Sequence, residues 1–454
     1  MGQGGDLIAE HPVALAPVSG KDRIAVLDIL RGIAILGIFF MNIPWMSGPT
    51  WASMEDFREM GWSLADQNVW LFLETTWEGT QRGMLEFLFG AGLMVTAAKV
   101  MEPDGPVGVA DLYIRRNLWL LAFGLFDIFV LLWPGDILHT YALCALALFP
   151  FRKLAVRWLL SIGLAFAMLG VIFGGAEYLE RSNAQATYQI AAEKQAKAQS
   201  LSAAETEAVK EWKEIEKRVA DTDPEMEKLI KEEARLRAGG MSDYAAFQWS
   251  AYTEIVSMGG LLFGVVEAFS AMLIGIALWK LGFIQGKCST REYLLAMLLA
   301  YGFGMGARYI GGLEQMSFQP IPKTIWMTNE LARLAVSLGH VALVNLAVKS
   351  LAGRNILAPF KAAGQMAFTL YFMEQIIGTW VMFSPIGLDL PGKQGWAHLA
   401  LQAAVVCAGL LVFANVWMRY FAAGPLEWLW RSLAYCRWQA FRKNSSVESQ
   451  PVRN

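Results

Sequence analysis

The chain has 454 residues, of which 55% are hydrophobic and only 17% are charged, and its 18 tryptophans and 26 phenylalanines are unusual for a soluble enzyme. The apolar residues fall in blocks of about 20, the length of a helix that crosses a bilayer. This composition excludes a typical soluble domain, and the net charge of −2 gives no information about partners. We expect an all-α fold, a polytopic membrane helix bundle with about 10 transmembrane helices, whose first partner is the lipid bilayer.

Two membrane halves with a charged segment between them are predicted. The predicted spans are 24–46, 67–98, 117–133, 135–150 and 158–177 in the first half, and 251–281, 292–311, 326–348, 364–385 and 397–420 in the second. The domains that follow are an N-terminal tail (1–23), the first half (24–180), the charged segment (181–248), the second half (249–424) and an amphipathic tail (425–454). The first span has no small-residue cleavage site behind it, so we expect no cleaved signal peptide.

The basic residues of the short loops predict the orientation. Lysine and arginine cluster on one side of the spans, whereas 47–66, 312–325 and 386–396 hold few of them. Because basic loops stay in the cytoplasm, we expect both termini to be cytoplasmic and 181–248 to be extracytoplasmic. The aromatic and basic residues of the tail after Pro425 favour a helix on the anionic inner leaflet.

The charged segment is predicted to be helical. Alanine, glutamate, lysine and glutamine dominate it, and these residues favour helix. Asp223 and Pro224 indicate the N-cap and first residue of a second helix. A solvated spacer is the favoured interpretation, and a lid over the outer mouth of a site is the alternative.

Several classes of site lack their signatures. The cysteines Cys144, Cys288, Cys407 and Cys436 lie within spans or on the cytoplasmic side, which predicts no disulfide. We also find no metal-ligand spacing, phosphate loop, catalytic triad or nucleic-acid signature. We therefore expect no metal, no permanently bound cofactor and no nucleic-acid partner.

Polar residues within the spans are the functional candidates, because they are costly in lipid. In the first span Arg31 and Asn42 stand 11 residues apart. That is close to three helical turns, so both lie on one stripe about 16 Å long. The structural alternative is an arginine that reaches the interface and an asparagine bonded to a neighbouring helix.

The second span carries the densest set of charges. Glu74, Glu78, Arg82 and Glu86 are spaced by four residues, so a single helix could present all four to one cavity. Arg82 could then pair with Glu78 and Glu86. A charge ladder that only locks helices together is the alternative.

The third and fourth spans meet at a turn of Pro134 and Gly135. Asp136 follows as a plausible N-cap, His139 lies one turn later, and Asp127 precedes the turn. His139 is a candidate general acid or base that Asp136 or Asp127 would orient. A satisfied interfacial histidine is the alternative.

Other charges in the spans are more ambiguous. In the eighth span Glu330, Arg333, Ser337 and His340 share a face, where a structural Glu–Arg pair is as plausible as a site. Glu267 and Glu374 stand alone, and hydrogen bonding within the bundle is the expectation for both.

Five stretches together resemble the YeiB-like bacterial inner-membrane proteins, a domain of unknown function. They are RIAVLDILRGIAILGIFFMNI (23–43), WEGTQRGMLEFLFGAG (77–92), RRNLWLLAFGLFDIFVLLWPGDILHTYAL (115–143), AAGQMAFTLYFMEQ (362–375) and AAGPLEWLWRSL (422–433). The resemblance covers both membrane halves and implies the bacterial inner (cytoplasmic) membrane. The family is similar to transmembrane acyltransferases, including the heparan glucosaminide N-acetyltransferases and the acyltransferase-3 group.

Those acyltransferases carry an acyl group from a cytosolic donor, often acetyl-CoA, to an acceptor sugar on the other face. The histidines of these patterns are replaced in this chain. Asn42 stands where the acyltransferase-3 group has a histidine and the heparan group has an asparagine. If Trp77-Glu78-Gly79 keeps the register of the heparan group, Glu74 stands at the position of its working histidine. Asp127 replaces a histidine that usually precedes the turn in the YeiB-like pattern.

The resemblance implies an acyltransferase-like catalyst with acetyl-CoA or another acyl-CoA as cosubstrate and a glycan or lipid acceptor. Donor phosphates would bind at Arg31, Arg115 and Arg116. The candidates for proton transfer are Glu74, Glu78, Asp136 and His139, and the further substrate-binding candidates are Asn42, Arg82, Glu86 and Asp127. A proton-coupled transporter of a small molecule or lipid is the rival hypothesis, and a non-catalytic membrane partner is the third.

Overall fold

The structure, a computed structural model, describes three stretches of the chain: 24–97, 108–220 and 223–443. The predicted N-terminal tail (1–23) and the end of the predicted C-terminal tail (444–454) lie outside them. Within the described residues the architecture is helical throughout, apart from one isolated bridge between Phe421 and Arg442. The predicted helical membrane bundle is confirmed.

The helices fall into three regions of the chain, and those of Val156–Ala196 and Met241–Ser257 run across the predicted boundaries at 180 and 248. The first half contains α1 (Ala25–Ser47), α2 (Thr50–Glu55), α3 (Leu64–Thr76), α4 (Thr80–Ala97), α5 (Gly108–Phe129), α6 (Leu138–Leu148) and α7 (Val156–Ala196). The middle segment contains α8 (Ala203–Ala220), α9 (Pro224–Arg237) and α10 (Met241–Ser257). The second half contains α11 (Gly260–Lys280), α12 (Thr290–Met316), α13 (Ile325–Ala347), α14 (Leu351–Gln365), α15 (Ala367–Gln375), α16 (Trp396–Tyr420) and α17 (Pro425–Ala434).

Six helices of the described residues are long and apolar enough to cross a membrane: α1, α7, α11, α12, α13 and α16. They coincide with six of the predicted spans. The remaining predicted spans contain shorter or more polar helices, such as α6, whose 11 residues cover only about 16 Å. The chain is therefore a multi-pass membrane protein, and the total of about ten spans stays a prediction.

The predicted single helix over 67–98 is interrupted. The chain leaves α3 at Trp77, and the N–H groups of Trp77 and Glu78 both donate to the carbonyl of Leu73, at 2.7 and 2.9 Å. Gly79 then adopts a left-handed φ of +67° before α4 begins, a conformation that glycine adopts at no steric cost. The prediction of one continuous stripe of charges is therefore wrong, and Glu74 and Glu78 point to different surroundings.

Helix α1 is fixed by close packing against α14. A Cβ atom on Gly32 or Gly364 would collide with the backbone of the opposite helix, so both positions need glycine. Backbone contact of this kind is a usual device of membrane helix pairs. It fixes the depth of Arg31, whose Nη1 lies 3.4 Å from the carbonyl of Gly364.

The charged middle segment begins as an extension of α7, which is unbroken for 41 residues, about 62 Å. Helix α8 packs back along α7, where the rings of Tyr188 and Trp212 stack at 5.4 Å. Asp223 accepts the N–H groups of Glu225 and Met226 at the start of α9. The predicted cap and helix start at 223–224 are thus confirmed.

Helices α9 and α10 dock onto the membrane bundle. The carboxylate of Glu233 accepts the backbone N–H groups of Thr50 and Trp51, at 2.7 and 2.9 Å. Arg237 pairs with Glu233 at 2.7 Å and lies over the ring of Phe247. Trp51 and Phe247 belong to a small hydrophobic core of their own. These two helices are therefore not a solvated spacer.

Candidate functional site

Two cavities lie at opposite ends of α1. The first, here the arginine cavity, has a volume of about 350 Å³ and begins at Ile24, whereas the second, the histidine cavity, has about 590 Å³ and reaches Trp45. The two are separated by a thin wall, because Ile137 and Tyr141 line both of them. Molecules bound in the two cavities could therefore contact the same residues, Ile137 just before α6 and Tyr141 within it.

The arginine cavity is lined by three guanidinium groups, those of Arg31, Arg116 and Arg431. Arg31 is also bonded to Asp28 at 3.1 Å, and Arg116 lies over the ring of Trp430, 4.7 Å from its centroid. Such a set of planar cations suits the phosphate groups of an anionic ligand.

Helix α17 forms one side of the arginine cavity. Glu427 accepts the N–H groups of Phe368 and Thr369 at the start of α15, at 2.7 and 3.0 Å. The indole N–H of Trp430 donates to the carbonyl of Arg116 at 2.8 Å. The predicted amphipathic helix after Pro425 is therefore built into the bundle by its buried face.

The histidine cavity holds a hydrogen-bonded histidine–aspartate pair. His139 Nδ1 lies 2.7 Å from Asp136 Oδ2, and the backbone N–H of His139 donates to the same oxygen at 2.9 Å. The Asp136 side chain is fully buried, and that of His139 is 10% exposed. An aspartate in this position fixes the tautomer and orientation of the imidazole. The other ring nitrogen, Nε2, lies 3.3 Å from the hydroxyl oxygen of Thr140, so proton transfer at Nε2 would take place beside that hydroxyl.

A tyrosine joins this pair to the other side of the wall. The hydroxyl of Tyr371 donates to Asp136 Oδ1 at 3.1 Å and accepts the N–H of Ile137 at 3.2 Å. Tyr371 lines the arginine cavity. Asp127 lies near Asp136, Tyr371 and Gln375 and is fully buried, but its carboxylate oxygens have no hydrogen-bond partner among the described residues. Of the two aspartates proposed to orient His139, Asp136 has the required contact.

An ion-pair network forms the floor of the histidine cavity. Arg82 pairs with Glu267 at 2.8 Å, and its distance to Glu86 is 3.9 Å. Arg333 pairs with Glu86 and with Glu330, both at 2.8 Å. The network ties α4, α11 and α13 together below the cavity. Arg82 remains 37% exposed and lines the cavity.

The Glu330–Arg333 pair that the sequence offered is present at 2.8 Å, and Glu267 is hydrogen-bonded as expected, to Arg82 at 2.9 Å. Sequence reasoning did not connect Glu267 or Arg333 with α4, because only the packing of α11 and α13 against α4 determines those partners. Glu374, in contrast, was expected to be hydrogen-bonded. It is 1% exposed, and its carboxylate oxygens have no hydrogen-bond partner among the described residues.

The eleven predicted site residues divide into three groups. Those that line the histidine cavity are Asn42, Glu78, Arg82, Glu86, Asp136 and His139. Those that line the arginine cavity are Arg31 and Arg116. The other three, Glu74, Arg115 and Asp127, line neither of these cavities.

Glu74 and Arg115 have structural partners instead. The carboxylate of Glu74 lies 3.6 Å from Arg308, whose Nε donates to the Glu74 carbonyl at 2.8 Å. Arg115 pairs with Asp111 at 2.6 Å. The contacts of Glu74 support a role in packing α3 against α12. Arg115 forms an ion pair on the surface of α5.

Helix α10 roofs the histidine cavity with Phe247, Gln248 and Tyr252. The ring of Tyr252 lies 6.4 Å from that of His139, edge to face. The lid that the sequence offered as an alternative was placed on 181–240, whereas the roof is α10, which begins at Met241. The residues of the roof had no signal in the sequence, because their apolar pattern is that of any packed helix.

The chain is 31% identical over 439 residues to the uncharacterized protein YxaH of Bacillus subtilis (strain 168), covering 96% of this chain and 100% of that protein. It is also 27% identical over 424 residues to the uncharacterized protein YeiB of Escherichia coli (strain K12), covering 91% and 96% of the two chains. The chain belongs to the YeiB-like family. No solved structure matches it.

A family model described as "Protein of unknown function (DUF418)" matches residues 278–437 of this YeiB-like chain. A third relative, an uncharacterized 39.9 kDa protein in the amylase 3′ region of Bacillus acidopullulyticus, is 23% identical over 438 residues, which is 93% of this chain and 96% of that one. The model match contains Tyr371 and α17 but not the His139–Asp136 pair. The relatives extend over both cavities.

Proposed function

We propose that this YeiB-like protein is a membrane-embedded acyltransferase. It transfers an acyl group from a cytosolic donor such as acetyl-CoA to a glycan or lipid acceptor at the other face of the bacterial inner membrane. One observation carries the proposal: two cavities at opposite ends of α1 meet at Ile137 and Tyr141, and a histidine–aspartate pair lies in the second cavity.

The arginine cavity suits the acyl donor. In the predicted orientation it opens to the cytosol, where acyl-CoA is available. Arg31 and Arg116 would hold the phosphates of the donor. Beyond them the cavity is lined by apolar side chains such as Leu85 and Phe89, which suit the acyl chain and the thioester arm.

The histidine cavity suits the acceptor. His139 Nε2 would take a proton from the attacking hydroxyl or amine, and Asp136 would stabilise the imidazolium that forms. The acceptor oxygen or nitrogen then forms a bond to the acyl carbon, and the carbon–sulfur bond breaks. Arg82 lines the cavity and is paired with Glu267. Its guanidinium is our candidate for stabilising the developing oxyanion.

This assignment accounts for the missing histidines of the resembled patterns. Asn42 stands at the acyltransferase-3 position, where the heparan group also has an asparagine, Glu74 stands at the heparan-group position, and Asp127 stands at the YeiB-like position. Glu74 is engaged by Arg308, and Asp127 is buried behind the pair. His139 occupies the accessible position and has a carboxylate to orient it, so it would serve as the base in their place.

Proton-coupled transport is the second candidate. It too predicts two cavities on opposite sides of a thin wall, with titratable groups beside it. The two functions differ in their chemistry, since a transporter leaves the thioester of acetyl-CoA intact.

The test uses permeabilised membranes that contain the wild-type protein or a variant, with radiolabelled acetyl-CoA. We expect the wild-type protein to release the thiol of CoA and to place label in the lipid or glycan extract. His139→Gln should reduce both by about 10²-fold or more. His340→Gln is the matched control, because His340 is a buried histidine that lines neither cavity. Equal release by wild-type protein and His139→Gln contradicts the proposal.

A further inference from the structure

A continuous chain of hydrogen bonds crosses the wall between the two cavities. It runs from His139 through Asp136 to the hydroxyl of Tyr371, with contacts of 2.7 and 3.1 Å. His139 lines the histidine cavity, and Tyr371 lines the arginine cavity. The two ends of the chain therefore face the two substrates of the proposed reaction.

The chemistry of acyl transfer from a thioester creates a need at each end. The acceptor must lose a proton as it attacks, and the departing alkyl thiolate must gain one. In the proposed arrangement the first event takes place in the histidine cavity and the second in the arginine cavity.

We infer that Tyr371 donates the proton that the leaving thiolate takes up, and that His139 and Asp136 return the acceptor's proton to it. This inference depends on the proposed function. The acceptor O–H (or N–H) and the C–S bond break, and the acceptor–carbon and S–H bonds form. The acceptor's proton goes to Nε2 of His139, the Nδ1 proton goes to Asp136, and Asp136 passes a proton to the phenolate of Tyr371, so no proton is lost or gained overall. His139 regains its starting tautomer by exchanging the Nε2 proton for an Nδ1 proton before the next turnover.

The surroundings of Tyr371 support this role. Its hydroxyl is held from a second direction by the N–H of Ile137 at 3.2 Å, which fixes the phenol at the wall. Asp136 is fully buried between the imidazole of His139 and the phenol of Tyr371, so a proton in this chain is shielded from water. Because each of its two carboxylate oxygens contacts one of these groups, Asp136 can pass on a proton as well as orient His139.

The other tyrosine of the wall lacks these contacts. The hydroxyl of Tyr141 donates to the carbonyl of Arg82 at 3.3 Å or to Glu86 at 3.4 Å. It is therefore not bonded to the His139–Asp136 pair. This difference selects Tyr371 as the proton donor.

The test compares two acyl donors that differ in the acidity of their thiol. The leaving group of acetyl-CoA is an alkyl thiolate, which needs a proton. The leaving group of S-(4-nitrophenyl) thioacetate is a stabilised aryl thiolate, which does not. We expect Tyr371→Phe to lower the kcat for acetyl-CoA by about 10²-fold and to leave that for the nitrophenyl donor nearly unchanged. In the wild-type protein the solvent deuterium isotope effect should be larger with acetyl-CoA.

Tyr301→Phe is the matched control. Tyr301 is a partly buried tyrosine whose hydroxyl bonds to a histidine, His340 at 2.8 Å, and it lines neither cavity. It should behave as the wild-type protein with both donors. Equal losses with the two donors in Tyr371→Phe, or no loss with either, would overturn the inference. If Tyr371→Phe does not fold, equal solvent deuterium isotope effects with the two donors in the wild-type protein would overturn the inference. Failure of the wild-type protein to release thiol from either donor instead refutes the proposed function.

Discussion

The acidic residues that line the histidine cavity differ in whether they already form an ion pair with an arginine. Glu86 and Glu267 accept from arginines of the floor network, whereas the carboxylate of Glu78 has no ion pair among the described residues and faces the cavity. The sequence placed Glu78 and Glu86 in one stripe, and only the break at Gly79 separates their roles. The His139–Asp136 pair was predictable because both residues follow one turn. The Glu74–Arg308 pair was not, since its members are far apart in sequence.

Glu78→Gln should therefore affect function without loss of the fold. We expect a clear fall in acyl transfer at an unchanged folded yield in detergent, because the substitution alters the charge of the cavity and breaks no ion pair. The matched control is Glu374→Gln, the same change at a buried carboxylate that lines neither cavity. Full activity of Glu78→Gln would show that the carboxylate has no part in the reaction.

At the level of helices, hydropathy predicted where the membrane segments lie but not how they are interrupted. Blocks of apolar residues located α1, α13 and α16 to within one residue, because length and composition determine such helices. The span predicted over 251–281 instead contains the end of α10 and all of α11. The left-handed Gly79 and the docking of α9 on the start of α2 depend on contacts between distant segments. The cavities are formed by those contacts, so their shapes had no counterpart in the sequence.

The helix α4 provides a test of the arginine cavity. A Cβ atom on Gly92 meets no atom within 4 Å, and Gly92 lines that cavity. Gly92→Leu should fill part of the cavity and raise the KM for acetyl-CoA at least tenfold, about 1.4 kcal/mol of donor binding, while the fold tolerates the helix-favouring change. Gly409→Leu is the control, since a Cβ atom there also meets nothing within 4 Å and Gly409 lies outside both cavities. An unchanged KM for acetyl-CoA in Gly92→Leu would show that the donor does not bind in this cavity.

The whole molecule combines a membrane bundle with an outer roof, and the two cavities use different parts of it. The arginine cavity is completed by α17, and the histidine cavity by α10. The charged segment that separates the two halves in sequence thus returns to close one site. Its helices were predictable from composition, but their docking on Thr50 and Trp51 was not, because two residues far away in sequence, Glu233 and Arg237, make the contact.

The central claim is that a donor on one face of the membrane reacts with an acceptor on the other within one chain. The most direct measurement adds radiolabelled acetyl-CoA to sealed inside-out membrane vesicles, which expose the cytosolic face, and to sealed right-side-out vesicles. We expect inside-out vesicles with the wild-type protein to release CoA thiol outside and to retain covalently bound label on the lumenal side. Right-side-out vesicles should do neither until they are permeabilised, and His139→Gln should be inactive in both. Unmodified labelled solute inside the vesicles, or equal labelling by His139→Gln, would contradict the account.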